Sequence, residues 1–101
     1  MIPKKKAASK KKVSHRKRVS SRSIETVFDL VRKDLQRRIR EKGDYGYASR
    51  HECLGLIAEE YDELVKAVRK NQMSLFQEEL LDIAVACIFS LASEKEGALD
   101  W

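Results

Sequence analysis

The sequence SRHECLGLIAEEYDELVKAVRKNQMSLFQEELLDIAVACIFSLAS, residues 49–93, decides the fold of this 101-residue chain. It contains two long segments in which apolar residues recur at steps of three and four, the spacing of one face of an α-helix. Asn71 lies between the segments and is a residue that tolerates the backbone conformation found just beyond a helix. The stretch therefore predicts two consecutive helices joined by a short turn.

Both predicted helices carry a start signal. Ser49 is followed three residues later by Glu52, and Ser74 is followed by Gln77. Each pair has the spacing of a capping box, in which the two side chains bond to the free amides of the first helical turn. The predicted helices cover about 49–70 and about 74–93.

A third apolar stripe lies earlier in the chain and predicts one more helix. Its N-cap is predicted at Ser23, with Glu25 in the first turn, and Lys42 and Gly43 suit its C-terminal end. Residues 43–48 are predicted to form a loop. No segment has the alternation of a strand, so residues 23–101 predict an all-α domain of about three helices. The stripe comprises Ile24, Val27, Phe28, Val31, Leu35 and Ile39.

The third predicted helix is apolar on nearly every side between Leu80 and Ala92. Such a helix must be covered on every side, and two companion helices from one chain cannot do this well. We therefore predict an obligate oligomer, with Phe89 at the contact between chains. The apolar residues concerned are Leu80, Ile83, Ala84, Val85, Cys87, Ile88, Phe89 and Leu91.

The charges of the chain are divided between two parts. Residues 1–22 carry ten Lys or Arg and no acid, whereas residues 23–101 carry eleven Lys or Arg and sixteen Asp or Glu. The first part has too few large apolar groups to order itself, so a disordered basic tail is predicted. It could bind a polyanion such as nucleic acid, or only add solubility. No aromatic residue is interleaved for stacking on bases.

The remaining composition indicates a cytoplasmic protein. Cys53 and Cys87 match no metal-ligand spacing and lie in apolar stretches, so we interpret them as two buried thiols. The basic N-terminal segment has no apolar core and does not resemble a signal peptide. The apolar run 80–92 is too short to cross a bilayer, and Asp82 interrupts it.

Four carboxylates require a separate explanation. At about 100° per residue, Glu60 falls inside the apolar arc of its helix, and Glu63 lies at the edge of that arc. Glu79 and Asp82 are one turn apart on an apolar face of the next helix. Unpaired carboxylates in such places are costly, and no cation falls on the acid face of that helix. A divalent cation such as Mg²⁺ would offset their charge. The alternative is that they are solvated acids, or acids that favour a helix N-terminus.

The spacing of these acids resembles a known family. Residues 59–63 form the pattern E-E-x-x-E and residues 79–82 form E-x-x-D, on two consecutive helices. This looks like the MazG-like group of all-α nucleoside triphosphate pyrophosphohydrolases, over about residues 47–92. The resemblance implies a homodimer or homotetramer with a four-helix core. It also implies Mg²⁺-dependent conversion of a nucleoside triphosphate to the monophosphate and pyrophosphate, with Mn²⁺ as a substitute.

By position, the resemblance also assigns roles to residues. Glu60, Glu63, Glu79 and Asp82 match the metal ligands, and Glu59 matches a residue that orients water or supports the ligands.

Substrate contacts are predicted on the second helix and the loop before it. Tyr45 and Tyr47 could stack on a base, or be ordinary loop aromatics. Arg50, His51 and Lys66 could contact phosphates, or lie exposed on a solvated face. A second hypothesis for the whole chain is a non-enzymatic helical dimer that binds nucleic acid through residues 1–22.

Overall fold

Three α-helices form the fold in a computed structural model, which describes residues 16–101. Helix α1 spans Ser21–Lys42, α2 spans Arg50–Arg69 and α3 spans Met73–Lys95. Helix α3 packs against both of the others, and more extensively against α2. Within the described residues, the one β-type pairing is an isolated parallel bridge between Ser49 and Asp100. The prediction of an all-α fold with three helices is confirmed.

The N-cap of helix α1 lies three residues earlier than the sequence predicts. It is Ser20 instead of Ser23, and the Ser20 hydroxyl accepts a hydrogen bond of 3.1 Å from the Ser23 amide. The helix thus includes the last two residues of the predicted tail, 1–22, and Glu25 lies beyond its first turn. Residues 16–20 are exposed and non-helical, and the rest of the predicted tail lies outside the described residues.

Helix α1 ends as predicted at Gly43, whose amide donates to the Ile39 carbonyl at 2.8 Å. Gly43 has a φ of 90°, in a region that disfavours residues with a side chain.

The predicted start of α2 is confirmed. The Ser49 hydroxyl accepts from the Glu52 amide at 3.0 Å. The Glu52 carboxylate in turn accepts from the amide of Ala48, at 2.7 Å. A capping box would bring this carboxylate to the amide of the capping serine, so the reciprocal bond is shifted by one residue.

The predicted cap of α3 is wrong. Asn71 adopts a positive φ of 54°, and the amide of Gln72 closes the end of α2 by donating to the Ala67 carbonyl. The turn is therefore complete at Gln72, which has the extended conformation of an N-cap without a side-chain bond. Ser74 consequently lies inside the helix, and the predicted Ser74–Gln77 box does not form.

The core forms where α3 meets the loop between α1 and α2. Tyr47, Cys53 and Phe89 are buried at its centre. Phe89 packs edge-on against Tyr47, with ring centroids 5.0 Å apart and planes at 72°. The residues that pack around this centre are Leu35, Ile39, Leu56 and Leu99.

Two predictions about buried residues need correction. Phe89 was predicted at a contact between chains, yet it belongs to the core of its own chain and is 7% exposed. Cys53 is buried as predicted, whereas Cys87 is exposed. The buried face of α3 comprises Val85, Ala86, Phe89 and Ser93, and Cys87 lies outside it.

Ser93 fixes the loop that carries Tyr47. Its side chain is buried, donates to the Phe89 carbonyl at 2.8 Å and accepts from the Tyr47 amide at 3.1 Å. Gly46 lies so close that an added Cβ would stand 3.1 Å from the Ser93 hydroxyl oxygen and 3.0 Å from the Ala98 Cβ. A side chain at Gly46 would therefore push the loop away from α3, so glycine is needed for this approach.

The segment after α3 closes over the same loop. The Asp100 amide donates to the Ala48 carbonyl at 2.9 Å, and the Asp100 carbonyl accepts from the Arg50 amide at 2.7 Å. Tyr47 therefore lies between α3 and the two backbone hydrogen bonds that join Asp100 to the start of α2.

Large apolar side chains remain on the surface of the single chain. Phe28 on α1 is 56% exposed and Leu91 on α3 is 70% exposed, and Ile24 and Val27 extend the patch on α1. None of the helices in residues 16–101 combines the length and apolar character needed to cross a membrane.

We expect Ser93→Ala to destabilise the protein by about 1–3 kcal/mol, because it leaves the buried Tyr47 amide without an acceptor. Ser90→Ala is the matched control. The Ser90 hydroxyl lies on the same helix and is also buried, but it has no hydrogen-bond partner among the described residues. Its loss should change stability little. Urea unfolding of both variants measures the difference, and equal costs would contradict the role given to Ser93.

The surface of α1 provides a sharper test of the predicted oligomer than Phe89, because a charge at Phe89 would disrupt the core of the chain itself. We expect the wild type to exceed its monomer mass of 11.7 kDa in light scattering. Phe28→Glu should shift it toward the monomer, since burial of apolar area provides about 25 cal/mol per Å². Gln36→Glu, an exposed polar position on the same helix, should not. A monomeric wild type would contradict the prediction.

Candidate metal centre and adjoining cavity

Three carboxylates meet where α2 packs on α3. Glu60 comes from α2, and Glu79 and Asp82 come from successive turns of α3. Each offers one oxygen, and the three oxygens lie within 4.8 Å of one another. All three residues are half-buried. We call Glu60, Glu79 and Asp82 the acidic triad.

The acidic triad has more acceptors than donors. One oxygen of Glu79, Oε1, is buried and has no hydrogen-bond partner among the described residues. Leaving a buried acceptor unpaired costs free energy because it has lost water without gaining a donor. Three carboxylate oxygens at this spacing are the type of ligand that hard cations such as Mg²⁺ prefer. The residues present therefore fit a divalent metal ion.

The pKa values of the acidic triad reflect the same crowding. The hydrogen bond that a protonated Glu60 makes to the Glu79 carboxylate, then burial, then the charge of Asp82 raise the pKa of Glu60 from its ordinary 4.5 to about 7. The pKa of Asp82 is also raised, first by burial and then by repulsion from Glu79. Arg37 opposes the shift at Asp82, but the other influences outweigh it. In the absence of a cation, the site therefore holds protons more tightly than free carboxylates do.

The fourth predicted ligand lies outside the acidic triad. Glu63 is exposed, and the Lys66 ammonium donates to it at 3.4 Å. Lys66 also lies 3.4 Å from Asp62. Glu59 is exposed as well, and it borders a shallow depression together with Glu60 and Glu63. The structure thus brings together three of the four predicted ligands.

A cavity of about 270 Å³ adjoins the acidic triad, and α1 forms its third wall. We call it the interhelical cavity. Glu60 and Asp82 belong to both the cavity and the triad. The other residues that line it are Asp34, Arg37, Arg38, Glu41, Lys42, Tyr47, Leu56, Val85 and Ala86.

The prediction that no cation shares the acid face of the third helix considered only α2 and α3. Arg37 and Arg38 reach the cavity from α1. Arg37 is already engaged, since it donates to Asp34 and, at 3.4 Å, to Glu41. It therefore offsets the charge of the acidic triad only in part.

Arg38 is held differently. Its guanidinium carbon lies 3.9 Å from the centre of the Phe89 ring and 5.2 Å from that of Tyr47. Both distances are within the range of cation–π contact. Its Nη1 is buried and has no acceptor within the described residues. Arg38 is therefore fixed by the aromatic core while one of its donors remains unused.

Of the five residues predicted as candidates for substrate contact, only Tyr47 lines the cavity. Tyr47 is a loop residue that is buried in the core, whereas Tyr45 is 91% exposed. Lys66 is paired with the acids already described, and His51 is exposed.

Arg50, the remaining predicted substrate residue, contacts the end of the chain. Its guanidinium donates to Glu94 at 3.2 Å and to the Leu99 carbonyl at 3.3 Å, and it stacks on the Trp101 ring at 4.1 Å. These contacts give Arg50 a role in structure.

Sequence analysis missed the residues that α1 contributes. The signal was present for Arg38, which lies seven residues after the buried Val31 and three after Leu35. Positions at this spacing share a helix face, so Arg38 continues the apolar stripe. A cation at such a position indicates a buried stem with a functional or paired head group.

Comparisons of the chain with known protein families, with curated proteins and with solved structures found no match.

Without added metal, we expect the stability of the protein to fall as the pH rises from about 4.5 to about 7. The raised pKa of Glu60 means that the folded state keeps a proton there which the unfolded state has already lost. Asp82 acts in the same direction. Glu60→Gln should flatten the dependence because it removes the titrating group. Denaturant unfolding in chelated buffer across this pH range provides the measurement.

Glu63→Gln is the control for this experiment, since Glu63 lies outside the acidic triad and is exposed. It should keep the wild-type slope. A wild-type stability that rises through this pH range would show that the acidic triad is not crowded as described.

Proposed function

We propose that the chain is a Mg²⁺-dependent nucleoside triphosphate pyrophosphohydrolase, of the MazG-like kind that its two carboxylate motifs resemble. The observation that carries the proposal is the acidic triad with its buried, unpartnered Glu79 oxygen. Glu60 belongs to the first motif, and Glu79 and Asp82 are the two acids of the second. The two motifs are separate in sequence, and the meeting of their acids supports one common site.

Glu60, Glu79 and Asp82 are the proposed metal ligands. Glu63 is a fourth candidate, and it would have to release Lys66 to take part. A bound Mg²⁺ supplies charge that offsets the triphosphate and polarises the reacting phosphoryl group, and Mn²⁺ has the same preference for oxygen.

The proposed reaction is hydrolysis between the α and β phosphates. A water oxygen forms a bond to the α phosphorus, and the bond from that phosphorus to the bridging oxygen breaks. The electron pair of the broken bond leaves with pyrophosphate, and the water gives up its proton to a carboxylate or to solvent. Glu59 is the proposed group that orients this water, because it is exposed at the rim of the site next to Glu60. No covalent nucleophile is required.

The alternative, a non-enzymatic helical dimer that binds nucleic acid through its basic tail, has less support. Arg16, Lys17 and Arg18 are exposed ahead of α1, but most of the tail lies outside the described residues. This alternative leaves the convergence of Glu60, Glu79 and Asp82 without a reason. Crowded carboxylates reduce stability unless they serve another purpose, so the hydrolase is the better explanation.

We expect millimolar Mg²⁺ or Mn²⁺ to raise the melting temperature and to support release of pyrophosphate from at least one nucleoside triphosphate. Binding to the folded state alone stabilises it, by about 2.7 kcal/mol at a metal concentration one hundred times Kd. Glu60→Gln, Glu79→Gln and Asp82→Asn should each abolish the metal-induced shift. Turnover should fall by more than the 10–100-fold that is typical of changes behind a metal ligand.

The same three substitutions should stabilise the metal-free protein, since they remove repulsion within the acidic triad. Glu78→Gln is the matched control, because Glu78 is an exposed neighbour of Glu79 outside the triad. Deleting residues 1–19, which spares the Ser20 cap, should also leave turnover intact. Wild-type rates in all three triad variants would exclude the site, and a melting temperature that metal does not change would exclude the metal.

A further inference from the structure

The interhelical cavity has an apolar floor that the acidic triad does not share. Its triad end consists of Glu60 and Asp82, and its floor consists of the apolar side chains of Leu56, Val85 and Ala86. At about 270 Å³ it lies just below the range of about 300–1,000 Å³ that is common for small-molecule sites. Seven of its eleven lining residues are charged, so the apolar floor is the part of the cavity that suits a planar and mainly neutral group.

Arg38 brings to the cavity a side chain with a buried donor that is unused. Its guanidinium carbon lies over the Phe89 ring, and its buried Nη1 lacks an acceptor among the described residues. A buried donor of this kind favours any ligand that supplies an acceptor at that point. Arg37 does not compete for the role, because Asp34 and Glu41 already engage it.

The charges around Arg38 favour a neutral acceptor over an anion. Four carboxylates and three cations line the cavity, so its formal charge is −1. A phosphate in the cavity would face these carboxylates and would lose its water on an apolar floor. The carbonyl oxygen of a planar heterocycle avoids both costs and still accepts a strong hydrogen bond from a cation.

We infer that the interhelical cavity binds the nucleobase of the substrate, and that the Arg38 guanidinium donates to a carbonyl oxygen of that base. This inference rests on the proposed function, since the triphosphate would lie at the acidic triad and the base in the adjoining cavity. It assigns substrate preference to Arg38: bases with a ring carbonyl are favoured over adenine, which presents an amino group instead.

The closest test compares ITP with ATP, because the two purines share one ring system and differ in a carbonyl or an amino group at position 6, together with the proton that hypoxanthine carries on N1. With wild-type protein and Mg²⁺, we expect kcat/KM for ITP to exceed that for ATP by about tenfold or more. Arg38→Met keeps a stem of similar length but has no donor, so it should bring the ratio close to one. The ratio is measured within one preparation, so partial loss of folded protein does not affect it.

Arg37→Met is the matched control, a neighbouring arginine in the same cavity that is already paired. It should change both rates by the same factor and keep the ratio. Equal wild-type rates for ITP and ATP, or an unchanged ratio in Arg38→Met, would overturn the inference while leaving the hydrolase in place. Absence of turnover with every triphosphate and either metal would overturn the proposed function, and the inference with it.

Discussion

The contact of Arg38 with Phe89 joins the parts of this small fold. Helix α1 packs on α3 less extensively than α2 does, and the guanidinium of Arg38 on the Phe89 ring is a close contact between the two helices. Phe89 also holds Tyr47 edge-on, and its carbonyl accepts from the Ser93 hydroxyl that fixes the Tyr47 loop. One aromatic ring thus sets the positions of α1, the first loop and α3. The interhelical cavity depends on all three.

This arrangement brings together two features that cost stability. Close packing of α2 on α3 crowds the acidic triad, and the stacking of Arg38 buries a donor without an acceptor. Either could be removed by exchanging one side chain for an apolar one of similar size, with little disturbance to the helices. Features that oppose stability yet lie next to one cavity are typical of binding and catalytic sites. The missing partners are also of opposite kinds, because the acidic triad lacks a cation and Arg38 lacks a hydrogen-bond acceptor.

Local patterns predicted the helices well, because a helix and its ends depend mainly on nearby residues. The stripe of α1, the Ser49 cap and the i, i+3 carboxylates on α3 could all be identified in this way. Predictions failed where distant parts of the chain decide the outcome. Ser74 lost its role as a cap because the turn at Asn71 is completed early, and Phe89 was placed between chains because its cover comes from the first loop and α1. The pairing of Arg50 with the end of the chain likewise has no local signal.

Prediction of the candidate site likewise succeeded for features set by nearby residues and failed for features set by distant ones. Wheel geometry could place Glu60, Glu79 and Asp82 on apolar faces, but it could not show that Lys66 would hold Glu63 outside. It also could not show that α1 brings cations to the cavity. These cations matter in the proposed reaction, because one divalent ion at the acidic triad would change the formal charge of the cavity lining from −1 to +1. Metal and triphosphate would then each favour binding of the other, and by linkage the two effects are equal in size.

Arg38, which is directed at the base in this scheme, acts on a neutral group and is independent of that coupling. The two ends of the cavity therefore separate affinity for phosphate, which the metal controls, from selection among bases.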